Sequence, residues 1–225
     1  MCSVRAFPAI TEDEFSAACK ALERRSADHL SDTDWLGVRW TGEELLIRQR
    51  RKISLCSGDN GVAGDQRKDA IETEAEKEVI EDMIEDEVED ASIKDTRASR
   101  CSEDDCLIVE FSIILSPTYC VPALWFSCQS VPHRQPITLD RIYEQLVPQP
   151  SSASLRSVGV LGGISMAHHP VSDLPSFFLH PCNTQDALSV LKPDKTLAPE
   201  DYLILWLGLI GSAVGLHIPS KLLSA

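Results

Sequence analysis

The order of helix-like and strand-like segments predicts an α+β fold in which helices flank an antiparallel sheet. Apolar residues recur at helical spacing near the N-terminus, alternate along four later segments and return to helical spacing in the C-terminal half. Consecutive strands of this kind pair as hairpins, whereas a regular alternation of strands with helices would indicate a parallel sheet. We expect residues 1–225 to form one domain, with an acidic and flexible insertion at 59–105.

The composition is that of a globular protein, and its charge argues against a nucleic-acid partner. Hydrophobic residues make up 43% of the chain and charged residues 25%. The formal net charge is -14, whereas phosphate binding depends on clustered Lys and Arg. The N-terminal residues lack the apolar run of a signal peptide, so the eight cysteines are expected to be free thiols in a reducing, cytoplasmic setting.

The first elements are predicted to be a helix and two strands. Thr11 precedes Glu14 by three residues, which is the spacing of a capping box at a helix N-terminus. Strand-like alternation follows at 35–40 and 45–55, with Gly42 as the turn residue between the strands. Four apolar residues share one face of the helix: Phe15, Ala18, Cys19 and Leu22.

The segment from Glu72 to Asp90 is predicted to be an insertion outside the core. It holds eleven acidic residues and one basic residue, Lys77, and therefore most of the excess negative charge. Such dense like charge repels itself and resists compaction. A flexible acidic loop is the expected state, and a docking segment for a basic partner is the alternative.

A hairpin is predicted on either side of Ser116-Pro117-Thr118, since alternating apolar residues flank this turn sequence. Cys120 and Cys128 are expected to be strand residues packed near the sheet. The alternating residues are Leu107, Val109, Phe111, Ile113 and Leu115, followed by Val121, Ala123 and Trp125.

A second helix and a long loop are expected next. Leu139, Ile142, Tyr143 and Leu146 are helically spaced, with Thr138 as a possible cap. Residues 148–175 are rich in Pro, Ser, Gly and His without clear periodicity, which is typical of a loop.

The apolar stretch from Tyr202 to Leu216 contains no charged residue and could be read as a membrane span. As a helix it would be about 22 Å long, which is short of a hydrocarbon core of about 30 Å. A buried core helix is therefore expected, with Gly211 and Gly215 at a bend or close packing point. Replacement of Leu205 or Trp206 by Ala is expected to cost about 2–5 kcal/mol.

Cys182 differs from the other cysteines in its surroundings. Pro181 stiffens the approach from His180, and residues 183–186 begin a predicted helix that runs to Leu191, with Asn183 as its cap. A thiol just ahead of a helix N-terminus faces unpaired amides and the positive end of the helix dipole, which favours the thiolate. His180 either adds to this effect or only holds the loop. A packing role for the cysteine is the alternative.

The segments HPCNT at 180–184 and YLILWLGLIGSAVGLHIP at 202–219 resemble the signature of the autophagy-related protein ten family, whose members are similar to ubiquitin-conjugating enzymes. Further matches are PITLDRIYE at 136–144 and His169-Pro170 with Leu174-Pro175. The predicted hairpin also matches, through Tyr119, Val121, Pro122 and Trp125. The resemblance extends over roughly half of the chain, from 107 to 219.

The resemblance implies that Cys182 receives a ubiquitin-like protein, autophagy-related protein twelve, from the activating enzyme, autophagy-related protein seven. Transfer to a lysine of autophagy-related protein five then follows. His180 and Asn183 are near enough in sequence to assist as catalytic residues, and Tyr119 is a candidate for steering the lysine. The chemistry needs no metal or diffusible cofactor, and no stable membrane insertion is expected.

Three other readings remain open at this point. The sibling autophagy enzyme with a His-Pro-Cys motif conjugates its ubiquitin-like protein to phosphatidylethanolamine. The shorter chain, the lack of an amphipathic membrane-sensing helix at the N-terminus and the closer match after Trp206 argue against it. A cysteine protease would pair Cys182 with His168, His169 or His217. A noncatalytic adaptor would use Cys182 only for packing.

The adjacent His168 and His169 are expected to point in opposite directions, which argues against a shared metal ion.

Overall fold

The computed structural model describes residues 3–52, 106–131, 137–148, 163–191 and 197–223. The predicted insertion at 59–105, including the acidic segment from Glu72 to Asp90, lies outside the described residues. Residues 53–55 of the second predicted strand and 149–162 of the predicted loop also lie outside them.

Within the described residues, six strands form an antiparallel sheet in the order β1-β2-β3-β4-β6-β5. Strands β3 and β4 pair along their whole length, and β6 joins β4 through residues 177–179. The strands are β1 (Trp35–Trp40), β2 (Glu44–Lys52), β3 (Cys106–Ser116), β4 (Val121–Val131), β5 (Ile164–His168) and β6 (Pro175–Leu179).

Helices precede, interrupt and follow the strands, so the predicted α+β class is confirmed. The helices are α1 (Glu12–Ser26), α2 (Leu139–Gln145), α3 (Thr184–Ser189), α4 (Pro199–Ile210) and α5 (Ser220–Leu223). Two 3-10 turns lie at Pro181–Asn183 and Gly211–Val214. The first of these turns joins β6 to α3 and carries the cysteine of the His-Pro-Cys motif.

Helix α1 begins with the predicted capping box. The Glu14 main-chain N–H donates to Thr11 Oγ1, and the Thr11 N–H donates to the Glu14 carboxylate. Burial alone would raise the pKa of Glu14, but hydrogen bonds from the N–H groups of Thr11 and Arg5 outweigh it and hold this pKa below its usual range. The helix start is therefore held by local hydrogen bonds as well as by its apolar face.

One face of the sheet packs into the hydrophobic core together with α1 and α4. The pairs Ile47 with Phe111 and Phe111 with Phe126 continue this face across β2, β3 and β4. Because side chains alternate along a strand, the neighbours of these residues point to the opposite face. Trp125 therefore belongs to this second face, where it lies beside Ser112 of β3.

The apolar stretch 202–216 forms most of α4 and the 3-10 turn that follows it, as a core element. Trp206 is fully buried, and Leu205 is partly buried. A Cβ at Gly211 would stand 2.8 Å from the Leu216 carbonyl oxygen, and Gly215 has φ +68°, so the predicted close packing point is confirmed. None of the helices that the structure describes has the length and apolar character needed to cross a membrane.

Part of the predicted long loop 148–175 is regular structure, so this prediction is wrong over 164–168 and at Pro175. Strands β5 and β6 form a hairpin there, with Ile164 paired to Leu179. Of the β5 residues only Ile164 is buried, which explains why the sequence shows no apolar alternation. Main-chain pairing of β6 with both β4 and β5 holds the hairpin in place, rather than a regular alternation of apolar side chains.

Two smaller expectations also differ from the structure. Cys128 is a buried residue of β4, but Cys120 is exposed in the turn before this strand, with φ +49°. The Ser116-Pro117-Thr118 signal predicted the turn but not that the reversal takes two further residues. Thr138 occupies the cap position of α2 without a side-chain capping hydrogen bond.

Candidate active site

Cys182 lies on the 3-10 turn Pro181–Asn183, directly after the last strand of the sheet, and is exposed. Pro181 is buried beneath it, which anchors the turn. Cys19 and Cys128 are buried instead, and burial raises the pKa of both thiols, that of Cys128 to about 12. These two thiols are therefore packing groups with little nucleophilic character at neutral pH.

His180 holds this turn through the main chain of the cysteine. The N–H of Cys182 donates to His180 Nδ1 at 3.2 Å, and His180 occupies the cap position of the turn with an extended backbone. Of the two expectations for His180, the structure therefore supports the one in which it holds the loop. The ring also fixes the direction of the Cys182 main chain and hence the place where its side chain emerges.

Asn183 occupies the predicted cap position of α3, but without a side-chain capping hydrogen bond. Helix α3 begins at Thr184 and ends at Ser189, and the Asn183 side chain makes no capping hydrogen bond. A helix cap has an extended backbone, whereas Asn183 has φ -100° and ψ 1° because the 3-10 turn runs directly into the helix. Asn183 nonetheless stays next to Cys182 in the same turn.

Tyr119 lies beside the candidate nucleophile, although it is distant in sequence. Its ring packs edge-on against His180, with ring centroids 5.5 Å apart, and Gln185 of α3 donates a side-chain hydrogen bond to its main-chain carbonyl. Tyr119 is also packed against the core. These contacts favour the packing role, and they connect the β3–β4 turn to both sides of Cys182. Nothing in the sequence indicated the Gln185 contact, since this contact depends on the fold.

An aromatic row, which we define as Trp125, Phe178 and His180, leads away from the cysteine on the second face of the sheet. Phe178 stacks on Trp125 at 4.6 Å and tilts toward His180 at 6.2 Å between centroids. Phe178 is the direct partner of Trp125 in the pairing of β6 with β4, so the stack is set by strand register. Phe178 was missed by the sequence analysis; an aromatic two residues before the motif histidine is the signal that could have found it.

The histidines considered for protease or metal chemistry, His168, His169 and His217, differ in their exposure. His168 is exposed and bonds to Asp173, whereas His169 is buried, so the expectation that they point in opposite directions is confirmed. His217 is exposed beyond the second 3-10 turn. The described part of the chain contains no group of three or more His, Cys, Asp or Glu residues placed to bind a metal ion.

The α+β fold with an exposed cysteine just after the sheet agrees with the ubiquitin-conjugating-enzyme-like class that the sequence predicted. The family model described as "Autophagocytosis associated protein, active-site domain" matches residues 14–221. The chain therefore belongs to this family, that of the ubiquitin-like-conjugating enzymes ATG10.

Relatives from a fungus and a plant extend over nearly the full chain. The ubiquitin-like-conjugating enzyme ATG10 of Gibberella zeae is 32% identical over 246 residues, which cover 98% of both chains. The ATG10 enzyme of Arabidopsis thaliana is 26% identical over 231 residues, 96% of this chain and 95% of that one. A solved structure described as autophagic E2, Atg10 has a TM-score of 0.49 at 14% identity, over 93% of this chain and 99% of that one. The sequence matches confirm the predicted family and the enzyme class, a conjugating transferase of autophagy.

Proposed function

We propose that Cys182 carries autophagy-related protein twelve as a thioester and transfers it to a lysine of autophagy-related protein five in the cytoplasm. Autophagy-related protein seven supplies the activated ubiquitin-like protein. The observation that carries the proposal is the exposed Cys182 of a His-Pro-Cys motif, on a braced turn, in a chain of the ATG10 family.

The proposed reaction has two exchange steps at one sulfur atom. The Cys182 thiolate attacks the thioester carbonyl carbon on the activating enzyme, and the cysteine of that enzyme leaves as a thiolate. The unprotonated amine of the acceptor lysine then attacks the new thioester. The amine loses a proton, the carbon–sulfur bond breaks and Cys182 leaves as a thiolate. Each step passes through an oxyanion that N–H donors stabilise.

The neighbours of Cys182 take different parts in this proposal. His180 is a positioning residue, because its Nδ1 is already engaged by the Cys182 N–H. Asn183 is adjacent to the thiol in the same turn and is the side-chain candidate for an oxyanion donor. Tyr119 supports His180 by its edge-on contact, which makes a direct role in steering the lysine secondary.

Loading with purified components tests the proposal. The protein is incubated with the activating enzyme, ATP and autophagy-related protein twelve, and adducts are followed on nonreducing gels. We expect a thiol-sensitive adduct that Cys182→Ala abolishes, and a reductant-resistant oxyester with Cys182→Ser. Cys120→Ala is the matched control, because Cys120 is also exposed but lies in another turn. A thiol-sensitive adduct that persists in Cys182→Ala would place the nucleophile elsewhere.

The acceptor is tested by adding autophagy-related protein five or liposomes that contain phosphatidylethanolamine. Transfer to a lysine of the protein acceptor without liposomes is expected. A product that forms only with liposomes would support the sibling reaction, and the absence of any adduct would support a noncatalytic adaptor.

A further inference from the structure

A buried polar cluster, formed by Glu44, Ser112 and His169, lies on the same face of the sheet as the aromatic row. His169 is 5% exposed and Glu44 is 8% exposed, although both carry ionisable groups. Ser112 donates a hydrogen bond to the Glu44 carboxylate, and His169 Nε2 lies 3.0 Å from Ser112 Oγ and 3.5 Å from Glu44 Oε2. The cluster therefore joins β2, β3 and the end of β5.

The hydrogen bonds determine which ring nitrogen of His169 carries the proton. Main-chain N–H groups of Val171 and Ser172 donate to Nδ1 at 3.3 and 3.2 Å, so Nδ1 is an acceptor without a proton. Nε2 then carries the hydrogen and donates toward Ser112. Burial lowers the pKa of His169, and the carboxylates of Glu44 and Glu110 oppose this effect only in part.

Although it contains Ser, His and a carboxylate, this cluster is not a hydrolase triad. In such a triad the histidine accepts the serine proton, and the carboxylate bonds to the other ring nitrogen. Here the proton on Nε2 points toward Ser112, and Glu44 lies on that same side. Neither ring nitrogen is available as a base for Ser112, so the cluster serves to hold structure.

The contacts of His169 connect it, through the aromatic row, to the turn that carries Cys182. Through Nδ1 the ring fixes the turn between β5 and β6, and through Nε2 it fixes that turn to the sheet. Its edge packs against Trp125 with centroids 5.4 Å apart, and Trp125 is the first member of the aromatic row that ends at His180. Each contact is between packed groups in a defined orientation.

We propose that His169 is a positioning residue for Cys182, acting through the aromatic row and the His180 cap. The kinetic side of this proposal rests on the proposed function of Cys182. Loss of the His169 contacts changes the orientation of Cys182 more than the affinity for a partner protein, since His169 is buried. A displacement of about 1 Å at a reacting group can cost about a hundredfold in rate.

Two substitutions of His169 separate its two contacts. His169→Asn places an amide oxygen near the position of Nδ1 and keeps the turn, but it no longer reaches Ser112. His169→Gln reaches Ser112 and loses the acceptor for the turn. Both should lower the single-turnover rate of Cys182 loading by about tenfold or more, with half-saturating partner concentrations unchanged within about twofold. His168→Gln is the matched control, because His168 is adjacent and exposed.

Trp125 provides a second pair in case the His169 variants do not fold. Trp125→Phe keeps a ring between His169 and Phe178 and should retain most of the loading rate, whereas Trp125→Leu should lose it to the same extent as His169→Gln. If folded His169→Gln and Trp125→Leu both load at the parent rate, the positioning role is wrong.

A readout without any partner distinguishes this proposal from the proposed function. The N–H of Cys182 donates to His180, so its hydrogen exchange by NMR reports on the cap directly. Exchange should accelerate in His169→Gln and remain at the parent rate in His168→Gln. If the parent chain accepts no ubiquitin-like protein, the proposed function fails and amide exchange alone decides. Unchanged exchange in His169→Gln would then overturn the positioning role.

Discussion

The left-handed backbone of Cys120 determines which residues are tolerated at this position, close to the candidate site. Its φ is +49°, its N–H donates to the Ser116 carbonyl, and its carbonyl accepts from the Ile10 N–H. The turn therefore connects β3, β4 and the chain that precedes α1. An L-residue in this conformation costs about 1–2 kcal/mol, a cost that glycine does not carry.

We predict that Cys120→Gly is neutral or slightly stabilising, whereas Cys120→Val lowers the free energy of unfolding by about 1–2 kcal/mol relative to it. Urea unfolding followed by tryptophan fluorescence measures the difference. Equal stability of the two variants would contradict a left-handed backbone at Cys120. The strand packing that the sequence suggested for Cys120 predicts the reverse order, since valine is favoured in strands.

For individual residues, the sequence predicted those features that depend on neighbouring residues along the chain. The order His180, Pro181, Cys182 predicted a nucleophile and, as one of two alternatives, a loop-holding histidine, and the Cys182 N–H bond favours this alternative. Asn183 occupies the predicted cap position, but a side-chain capping bond depends on its backbone angles, which the sequence does not specify, and this bond is absent. The contact between His169 and Ser112 joins residues 57 positions apart, so it required the fold.

Helix α4 shows why a long apolar segment can be a helix of the protein core. The run covers both faces of the helix, but the faces differ in burial: Tyr202, Trp206 and Leu207 are fully buried, and Leu205 and Leu209 are only partly covered. The Tyr202 hydroxyl donates to the Pro8 carbonyl at 2.8 Å, and burial raises its pKa. The helix is thus held from several directions.

We predict that Trp206→Ala costs about 3–5 kcal/mol in the free energy of unfolding, because a fully buried indole leaves a large cavity. Leu205→Ala should cost less than about 2 kcal/mol, since this side chain keeps contact with solvent. The burial of the two side chains thus divides the common range of about 2–5 kcal/mol that the sequence predicted for both. Chemical denaturation of both variants gives the comparison, and a larger loss for Leu205→Ala would contradict the burial pattern.

The elements differ in how far the sequence predicts them. Helix α1 and the β3–β4 hairpin carry strong periodicity and turn signals, and both were predicted. The β5–β6 hairpin was missed because its strands have five residues each and β5 buries a single apolar side chain. Such a hairpin is defined by pairing with β4, which is a property of the tertiary fold.

For the whole molecule, the pairing of β2 with β3 determines how far apart the two ends of the chain between them lie. The two strands pair along nine residues of β2, and the last pair joins Lys52 with Cys106. The two ends of the intervening chain are therefore neighbours in the sheet, and a much shorter connection can join them. Loop-closure entropy varies only slowly with length, by about 0.6 kcal/mol for each doubling.

We predict that deletion of the acidic segment from Glu72 to Asp90 leaves the midpoint of thermal unfolding within about two degrees of the parent. The segment has too few apolar residues to offset the entropy of ordering them. Its removal takes eleven acidic residues and one basic residue from a chain of charge -14, so the midpoint should also depend less on salt. Calorimetry at low and high salt tests both statements. A loss of several degrees at either salt concentration would show that Val79, Met83 and Ile84 belong to the core.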